Sequence, residues 1–332
     1  MKRIVITKPR EIRIEETTRP ERGEDEALLK VRYVGLCGSD VNTYRGSNPL
    51  ATYPIVPGHE LCCEVLESAK GFSPGEVVVV EPLMPCGDCY PCRLGRYNCC
   101  ENLKVLGVHQ DGGMAEEIAL PLNRLYRLPD DTEQPLGPLV ETLSIGYHAC
   151  NRARIQTGDD VLVIGAGPIG LGAALIAKEK GARVGVVDRL DARLRLSLEL
   201  GIDFGFQATQ SAEADVIERF DRRPNVVIEA VGSPRTLELA IDVASAAGRV
   251  VFVGWTSDPP QWRPDLFLRK ELDFMGSRNS HDLFPEVIEF FQRNQGPLRR
   301  LVTHRFPMTD IEEAMTLMDG HPDQVMKIIV QW

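Results

Sequence analysis

Nine cysteines occur in the chain, and five of them stand in one short segment. Cys86, Cys89 and Cys92 are separated from one another by two residues, and the pair Cys99-Cys100 follows. Four thiolates at about 2.3 Å surround a zinc ion tetrahedrally and leave no open position, which is typical of a structural metal site. The spacing therefore predicts a structural zinc site, with either Cys100 or Cys99 as the fourth ligand.

Disulfide bonds are the alternative use of such a cluster, but they require an oxidising compartment. The basic pair Lys2-Arg3 is followed by the polar segment 7–10 before an apolar signal-peptide core can form. We therefore expect a cytoplasmic protein in which clustered thiols bind metal. Cys62, Cys63 and Cys150 lie outside the cluster and are expected to be small buried apolar residues.

A glycine-rich segment follows an apolar strand in the second half of the chain. The segment consists of Gly165, Ala166, Gly167, Pro168, Ile169 and Gly170. A turn of this kind that opens a helix lets backbone amides and the helix N-terminus hold a pyrophosphate. Because strand, turn and helix occur in this order, the segment predicts a dinucleotide site rather than an ordinary loop.

Asp188 ends the next predicted strand, at a distance along the chain that suits a hydrogen bond to the adenosine ribose. A carboxylate there repels the 2′-phosphate of NADP, so Asp188 favours NAD as the cofactor. Arg189, beside it, is a second cofactor-binding candidate and has the opposite charge. Asp188 could also cap the helix that follows it, and the two roles are compatible.

Length and charge exclude several classes of function. At 332 residues the chain exceeds what one core usually supports, so two domains are expected. The 48 acidic residues outnumber the 38 basic ones, for a net charge of −10, which argues against a nucleic-acid partner. The longest uncharged stretch, 161–177, is divided by four glycines and a proline, so we expect no membrane span either.

The pattern of predicted elements changes near residue 157. Before it, short strands between glycines and prolines, clearest at 27–34 and 75–80, predict a mainly β region. After it, strands alternate with helices, which predicts a doubly wound parallel sheet covered by helices on both faces. The predicted strands are 161–164, 183–187, 225–228 and 249–254, and the predicted helices are 168–180, 191–200 and 234–246.

The C-terminal segment is predicted to return to the first domain. It contains helices near 285–294 and 310–318 and a closing strand at 325–330. The segment 309–312 reads Thr-Asp-Ile-Glu, which fits a capping box at the start of the second of these helices.

Two further motifs contain metal-ligand residue types. Cys37-Gly38-Ser39-Asp40 ends a predicted strand, and Gly58-His59-Glu60 opens another. Taken alone, such a cysteine or histidine is more often a buried core residue than a ligand. Together with the cysteine cluster and the glycine-rich turn, however, the motifs resemble the zinc-containing medium-chain dehydrogenases over the whole chain. The resemblance implies an α/β protein with a GroES-like, mainly β catalytic domain (1–147 and 279–332), a Rossmann domain (148–278), and a substrate cleft at their junction.

Carried over position by position, the resemblance implies a second, catalytic zinc ion, and so two zinc ions per chain. Cys37 and His59 match metal ligands, and Glu60 matches an acid that binds or approaches the metal. Glu141 matches the position where the polyol branch of the family has glutamate and the simple-alcohol branch has cysteine. The resemblance therefore selects the polyol branch, and it also favours Cys100 as the fourth structural ligand.

The same carry-over implies a route for the substrate proton. Ser39 matches the hydroxyl that passes this proton toward solvent, and Asp40 matches an acid that supports the site. Asn42 departs from the family, where many members have histidine at the end of the relay, so the proton is expected to leave through water or Tyr44. Two more departures, which remove no ligand, are Cys63 and Thr142.

Two strand ends in the second domain are cofactor candidates. The resemblance places Val231 and Val253 beside the nicotinamide ribose and ring. Strand-end turns serve packing as often as contact, so the packing alternative stays open.

Three segments, 105–113, 275–279 and 301–305, resemble the bacterial L-galactonate and L-gulonate 5-dehydrogenases and the starvation-sensing dehydrogenase-like proteins. That resemblance implies a sugar acid oxidised at its C5 hydroxyl. Arg278, beside Asn279, is the candidate clamp for the carboxylate. His109 is a second candidate, on a loop expected to close over the zinc pocket. The alternative is that Arg278 pairs with a structural acid and His109 only packs.

The sequence thus predicts a cytoplasmic, homo-oligomeric, zinc-dependent and NAD-linked dehydrogenase with a small-molecule sugar acid or polyol as its substrate. A general polyol dehydrogenase and a threonine-type dehydrogenase remain alternatives, because they share the same metal ligands. A regulatory binding protein on a dehydrogenase scaffold is disfavoured, because all four catalytic-site ligand candidates are retained.

Overall fold

The computed structural model describes all 332 residues, which form two compact units. The first unit comprises Met1–Glu141 and Phe284–Trp332, and the second comprises Thr142–Leu283. The boundaries expected from the sequence, at 147/148 and 278/279, lie a few residues from these limits. The C-terminal segment belongs to the first unit, so the second unit is an insertion between two parts of it.

The regular structure of the first unit is mainly β-sheet, and the second unit alternates strands with helices. The strands, in chain order, are β1 (Lys2–Lys8), β2 (Glu11–Glu16), β3 (Glu26–Leu36), β4 (Glu60–Val65), β5 (Val77–Val80), β6 (Leu83–Met84), β7 (Lys104–Val105), β8 (Glu117–Pro121), β9 (Leu125–Arg127), β10 (Asp160–Ile164), β11 (Arg183–Asp188), β12 (Phe204–Gln207), β13 (Val226–Glu229), β14 (Arg249–Phe252), β15 (Asp273–Gly276), β16 (Val302–Pro307) and β17 (Lys327–Gln331).

The α-helices occur mainly in the second unit and in the C-terminal segment. They are α1 (Gly38–Arg45), α2 (Tyr90–Arg93), α3 (Leu139–Arg152), α4 (Pro168–Glu179), α5 (Asp191–Glu199), α6 (Ala212–Phe220), α7 (Pro234–Val243), α8 (Pro264–Lys270), α9 (Phe284–Arg293), α10 (Gln295–Arg299) and α11 (Ile311–Gly320). None of them is both long enough and apolar enough to cross a membrane.

The main sheet of the first unit has the order β16-β17-β3-β4-β5-β9, and β8 pairs with the first half of β3. The long strand β3 is central because it pairs with β4 along one edge and with both β8 and β17 along the other, β8 at its start and β17 at its end. The last strand, β17, runs antiparallel to β3, with Ile329 opposite Gly35. The chain's C-terminus is therefore built into the same sheet as its N-terminal third.

Apolar side chains of these strands form the core of the first unit. Leu29, Val31, Val34 and Leu36 of β3 are fully buried, and so are Ile328 and Val330 of β17. Burial of one such side chain stabilises the fold by about 1.5–3 kcal/mol. The polar positions in this core are thus exceptions, and each needs a specific partner.

The second unit has a six-stranded parallel sheet with the order β12-β11-β10-β13-β14-β15. From β10 the chain first proceeds outward through β11 and β12, and then returns to the other side of β10 with β13. This is the doubly wound fold that the alternating pattern predicted. Ligands of such sheets bind outside the carboxyl ends of the strands, at the point where the strand order reverses.

Most of the predicted elements are present within a few residues of their expected ends, but several others were missed. They include the long helix α3 and the shorter elements α1, α2, α6, α8, α10, β12, β15 and β16. β12 contains a glycine and β15 lies at the edge of its sheet, so neither has the continuous apolar run of a central strand.

The predicted capping box at 309–312 is wrong. A short 3-10 turn at Met308–Asp310 precedes α11, which begins at Ile311. Asp310 occupies the N-cap position without a side-chain cap, and its carboxylate accepts a hydrogen bond from the Thr309 hydroxyl at 2.9 Å. The 3-10 turn therefore moves the start of the helix one residue later than the sequence pattern predicted.

Candidate active site and metal centres

Three potential metal ligands meet at one end of the main sheet of the first unit. Cys37 follows β3, while His59 and Glu60 stand at the start of β4. Because β3 and β4 are antiparallel neighbours, with Gly35 opposite Glu60, the end of one strand lies beside the start of the other. The ligand atoms of Cys37, His59 and Glu60 lie within 4.8 Å of one another.

Asp40 joins the two turns that carry these ligands. One of its carboxylate oxygens accepts a hydrogen bond from the backbone N–H of Cys37 at 2.9 Å, and the other accepts one from Gly58 at 3.1 Å. Asp40 is buried, and this burial raises its pKa. Asp40 thus fixes the backbone of the two turns that carry the candidate ligands.

His59 is buried, and its Nδ1 has no hydrogen-bond partner. The nearest acid is Asp40, with Oδ1 at 3.8 Å from Nδ1. Burial opposes protonation of the ring, but the charges of Asp40 and Cys37 outweigh it and raise the pKa of His59 well above its ordinary value. A buried nitrogen without a partner, surrounded by negative groups, fits a site for a cation.

Glu141, in α3, lies outside the 4.8 Å cluster. The pKa of its carboxyl is raised to about 7, and burial is the largest cause. The negative charges of Glu60 and Asp40 also raise this pKa, while the positive charges of His59 and Lys327 oppose the rise. Glu141, the fourth predicted ligand, therefore interacts electrostatically with the cluster. Its carboxylate is nevertheless not within 4.8 Å of all three ligand atoms of Cys37, His59 and Glu60.

The sequence reasoning missed Lys327, at the start of β17. Its Nζ lies 2.6 and 2.8 Å from the two carboxylate oxygens of Glu60 and 3.3 Å from the carbonyl oxygen of Leu36, and both side chains of the pair are buried. Burial lowers the pKa of Lys327, but the negative charges of Glu60 and Cys37 outweigh it, so this pKa is raised. The sequence did contain a signal for this pair, namely a lysine at the start of an apolar terminal strand. Because lysines are almost never fully buried without a partner, a lysine in such a strand indicates a buried acid nearby.

The Lys327–Glu60 pair crosses the sheet over Gly35. Lys327 is in β17 and Glu60 is in β4, with β3 between them. A Cβ atom at Gly35 would lie 2.0 Å from Oε2 of Glu60. Any side chain at this position would therefore displace the carboxylate, so glycine is required here for the two charges to meet.

Ser39 stands beside the cluster, in the first turn of α1, and its Oγ is buried without a hydrogen-bond partner. A hydroxyl in this state can accept or donate a proton without first breaking another bond. Asn42 is exposed, so the position where the family has histidine reaches solvent directly. Tyr44 is buried, with the Arg10 guanidinium 5.7 Å from the centre of its ring.

The four cysteines of the second candidate metal centre lie together in one loop. The sulfur atoms of Cys86, Cys89, Cys92 and Cys100 are all within 4.8 Å of one another, while Cys99 is not part of this group. The Cys86 amide also donates a hydrogen bond to the Cys100 sulfur at 3.3 Å. All nine cysteines are free thiols, so no disulfide competes for this cluster.

The local backbone favours thiolate at one of these sulfurs. A hydrogen bond from the backbone of Glu101 is the largest of the effects that lower the pKa of Cys89 to about 7. Four sulfurs that converge in this way fit a closed tetrahedral zinc site. The other cysteines behave as expected, since Cys62, Cys63 and Cys150 are fully buried.

A buried ion pair anchors the cysteine loop to the sheet. Glu81, fully buried, accepts hydrogen bonds from Arg124 and from the Tyr97 hydroxyl, both at 2.7 Å. The Arg124 guanidinium also lies 5.0 Å from the centre of the Tyr97 ring. Tyr97 is three residues from Cys100, so this contact holds the second half of the loop in place.

The glycine-rich turn of the second unit joins β10 to α4. Gly165 has a φ of +98°, and its amide donates to the carbonyl of Val187 at 2.7 Å. A Cβ atom at Gly170 would lie 1.8 Å from the carbonyl oxygen of Gly165, so the helix can approach the turn only with glycine there. Gly167 is the N-cap and Pro168 the first residue of α4, which leaves the amides at the helix start open to a pyrophosphate.

Asp188, at the end of β11, fixes this turn. Its Oδ2 accepts a hydrogen bond from the Ala166 amide at 2.8 Å, and its Oδ1 accepts one from Leu190 at 2.9 Å. The carboxylate therefore bridges the glycine-rich turn and the start of α5. A second cation that was not predicted, Arg193, lies 3.7 Å from Asp188, while Arg189 is exposed.

The remaining predicted cofactor residues lie at the carboxyl ends of the parallel strands. Val231 follows β13 and is half exposed, whereas Val253 follows β14 and is partly buried. Ile169, in the first turn of α4, is also partly buried.

The predicted substrate residues occur in both units. In the first, the ring Nδ1 of His109 accepts a hydrogen bond from the Val105 amide at 3.2 Å. A neutral histidine that accepts at Nδ1 carries its proton on Nε2. In the second, Arg278 is exposed just after β15, and Asn279 has a left-handed backbone with a φ of 50°.

Comparison with known proteins assigns the chain to a family. The alcohol dehydrogenase GroES-like domain matches residues 23–130, and the zinc-binding dehydrogenase model matches residues 168–293. An uncharacterised zinc-type alcohol dehydrogenase-like protein of Haemophilus influenzae is 37% identical over 334 residues, which is 99% of this chain and 98% of that protein. The chain belongs to the zinc-type alcohol dehydrogenases.

Two further relatives describe its place in this family. L-galactonate-5-dehydrogenase of Escherichia coli is 36% identical over 94% of this chain and 93% of that protein. The crystal structure of the alcohol dehydrogenase rspB of Escherichia coli, complexed with NADH, matches 100% of this chain and 99% of that chain with a TM-score of 0.94 at 33% identity. The protein is thus an NAD(P)-dependent zinc dehydrogenase, and its relatives include sorbitol dehydrogenases as well as L-galactonate-5-dehydrogenase. The predicted GroES-like and Rossmann folds are confirmed.

A first test concerns the four-cysteine loop of the dehydrogenase. Cys100→Ser is expected to lower the zinc content by about one ion per chain, because three sulfurs cannot close a tetrahedral shell. Cys99→Ser is the matched control and is expected to retain the full zinc content. Metal analysis by mass spectrometry checks both variants. Equal zinc loss from both would contradict the assignment of Cys100.

A second test concerns the buried ion pair. Lys327→Met is expected to lower the free energy of unfolding by about 3–5 kcal/mol, because it leaves the Glu60 carboxylate buried without its counter-charge. The double variant Lys327→Met/Glu60→Gln, which removes both charges, is expected to recover most of this loss. Urea unfolding of the two single variants, Lys327→Met and Glu60→Gln, and of the double variant measures the coupling energy between the two side chains. Strictly additive effects would show that the pair contributes no coupling energy.

A third test concerns the adenosine ribose site. Replacing Asp188 with Ala removes both the repulsion of a 2′-phosphate and the hydrogen bonds to the ribose. We expect the affinity for NAD to fall and the ratio of NADP to NAD use to rise by at least about tenfold. Initial rates over a range of both cofactors provide the measurement, with Asp203→Ala as a control in the same unit. Equal use of the two cofactors by the unaltered enzyme would contradict the role of Asp188.

Proposed function

We propose that this dehydrogenase oxidises the C5 hydroxyl of a sugar acid of the L-gulonate or L-galactonate kind, with NAD as the acceptor. The observation that carries the proposal is the 36% identity to L-galactonate-5-dehydrogenase over 94% of the chain. Glu141, at the position that distinguishes the polyol branch, supports the same substrate class. NAD rather than NADP is favoured by the Asp188 carboxylate.

The catalytic ion would be held by Cys37 and His59 together with the carboxylates Glu60 and Glu141. This set of thiolate, imidazole and carboxylate groups is typical of zinc. A zinc ion in this place supplies a Lewis acid that makes an alcohol hydroxyl more acidic. Glu60 is already paired with Lys327, so it contributes less negative charge to the site than a lone carboxylate would.

The side chains around this site would transfer the proton of the substrate hydroxyl toward solvent. Ser39 would accept the proton of the substrate hydroxyl at Oγ, which has no competing partner. Asp40 holds Ser39 in position, because the Asp40 carboxylate accepts a hydrogen bond from the amide of Cys37, at the start of the helix turn that contains Ser39. From Ser39 the proton would pass to water near the exposed Asn42.

The dinucleotide would be held by the second unit. The turn at 165–170 presents the amides at the start of α4 to the pyrophosphate. The Asp188 carboxylate would accept hydrogen bonds from the hydroxyls of the adenosine ribose. The four-cysteine loop would hold the structural zinc ion, which takes no part in the reaction because its coordination shell is closed.

Two side chains are proposed to recognise the sugar acid. Arg278 presents a planar guanidinium that can bind a carboxylate with two hydrogen bonds. His109 offers the N–H of its Nε2, since its Nδ1 is occupied by the Val105 amide. The overall negative charge of the protein repels an anion, so affinity for a sugar acid must come from such local donors.

We also propose that the enzyme acts as a homo-oligomer in a reducing, cytoplasmic setting. β15 is the edge strand of its sheet and has a neighbour on one side only. Trp255, Trp262 and Leu268, in the chain just before this strand, are exposed, and burial of such side chains against a second copy would be favourable. Nine free thiols suit a reducing compartment.

The substrate proposal is tested with NAD reduction measured on L-gulonate, L-galactonate, sorbitol and threonine. Arg278→Leu is expected to lower kcat/KM for the sugar acid by roughly ten- to a hundredfold, because a charged hydrogen bond contributes about 1.5–3 kcal/mol. The rate with sorbitol is expected to change far less. Arg278→Lys is the matched variant, which keeps the charge but loses the planar fork.

Two outcomes would overturn the assignment. If the unaltered enzyme prefers sorbitol, the general polyol dehydrogenase takes its place, and a preference for threonine would indicate an amino-alcohol dehydrogenase. If Arg278→Leu lowers the rates on the sugar acid and on sorbitol equally, Arg278 has a structural role instead.

A further inference from the structure

The two halves of a dinucleotide must lie on opposite sides of β10. Its pyrophosphate binds at the turn after this strand, and Asp188 follows β11 on one side, where the adenosine ribose is expected. β13 and β14 lie on the other side of β10. The carboxyl ends of β13 and β14 therefore remain for the nicotinamide half, and the residues that shape these two ends control how that half is held.

Glu229 is the last residue of β13 and is fully buried. Its Oε1 accepts hydrogen bonds from the backbone amides of Val231 at 2.9 Å and Gly232 at 2.8 Å. Its backbone carbonyl accepts two more, from Val253 at 2.7 Å and Gly254 at 3.2 Å. One residue thus holds the turn after its own strand and the turn after the neighbouring strand.

The two turns are also in direct contact with each other. Gly232 has a φ of +77°, and a Cβ atom there would lie 2.5 Å from the carbonyl oxygen of Trp255. A Cβ atom at Gly254 would lie 2.1 Å from the Gly232 nitrogen. With both backbones this close, a shift of the Glu229 turn must move the second turn with it.

The same turn lies against the pyrophosphate turn. The Ala230 amide donates a hydrogen bond to the carbonyl of Ile164 at 2.9 Å. A Cβ atom at Gly165 would lie 2.6 Å from a methyl carbon of Val231. The exposed Val231 side chain is therefore held at the border of the dinucleotide site, on the side away from Asp188.

We propose that Glu229 is a positioning residue for the nicotinamide half of the cofactor. It acts through the backbone of Val231, Gly232 and Val253 and does not touch the cofactor itself, because both the residue and its second carboxylate oxygen, Oε2, are buried. Oε2 also has no hydrogen-bond partner. Burying a carboxylate that uses only one of its two oxygens costs free energy. The fold tolerates this cost at Glu229, where Oε1 fixes one turn and the backbone carbonyl of the same residue fixes the next.

The proposal is tested by comparing two ligands, neither of which is an alcohol substrate. NADH contains both halves of the cofactor, whereas ADP contains only the adenosine half and the diphosphate. In Glu229→Ala the two amides lose their acceptor, so we expect NADH affinity to fall by roughly tenfold or more while ADP affinity changes by less than about threefold. NADH fluorescence titration, with ADP as the competitor, measures both constants.

Two variants separate positioning from a loss of folding. Glu229→Gln keeps an oxygen that can accept from the same amides, so it is expected to restore NADH affinity to within about threefold of the unaltered enzyme. Asp160→Ala removes another buried carboxylate of this unit, at the start of β10, where it pairs with Arg183 and Arg222. This control is expected to lower the melting temperature without changing the ratio of NADH to ADP affinity.

The expected pattern is a loss confined to NADH in Glu229→Ala and its recovery in Glu229→Gln. Equal losses of NADH and ADP affinity, or unchanged NADH affinity, would overturn the proposal. Because no sugar acid or polyol is used, a wrong substrate assignment would leave these results unaffected, and the two failures can be distinguished.

Discussion

The candidate active site depends on one buried ion pair that crosses the central strand of a sheet. Lys327 and Glu60 meet over Gly35, with Nζ 2.6 Å from the nearer carboxylate oxygen. A buried charge is costly without a counter-charge or hydrogen-bond partners, so Lys327 and Glu60 stabilise each other, and their contact requires the absence of a side chain at position 35. The C-terminal strand must therefore be in place before the ligand cluster of Cys37, His59 and Glu60 can have its native charge.

A second constraint recurs at the ends of several strands. Asp40 accepts hydrogen bonds from two turns beside the candidate metal ligands, Asp188 from two turns beside the candidate pyrophosphate site, and Glu229 from two successive amides of one turn. In each case a buried carboxylate takes up backbone amides that the sheet leaves unpaired. The protein thus uses the same interaction, a charge-assisted hydrogen bond to backbone N–H, to fix the irregular segments that would contact metal or cofactor.

The electrostatics of the candidate active site follow from this arrangement. Burial and neighbouring carboxylates raise the pKa of Glu141 to about 7, and the surrounding negative charges raise the pKa of His59. Lys327 neutralises one carboxylate of the group without taking a ligand position. The site is therefore less negative than its number of acids implies.

The sequence alone determined those parts of the site whose geometry is local. The four cysteines lie within fifteen residues, and the glycine-rich turn is contiguous with its strand and helix, so spacing by itself restricts where their ligand atoms can go. Tertiary structure alone decided which residues meet across the sheet. Lys327 is 267 residues from Glu60 in the chain, and only the order β17-β3-β4 brings them together. The role of Gly35 depends in the same way on strand register, which no local pattern encodes. Cysteine spacing alone left Cys99 and Cys100 open; the family resemblance favoured Cys100, and the loop conformation brings its sulfur to the other three.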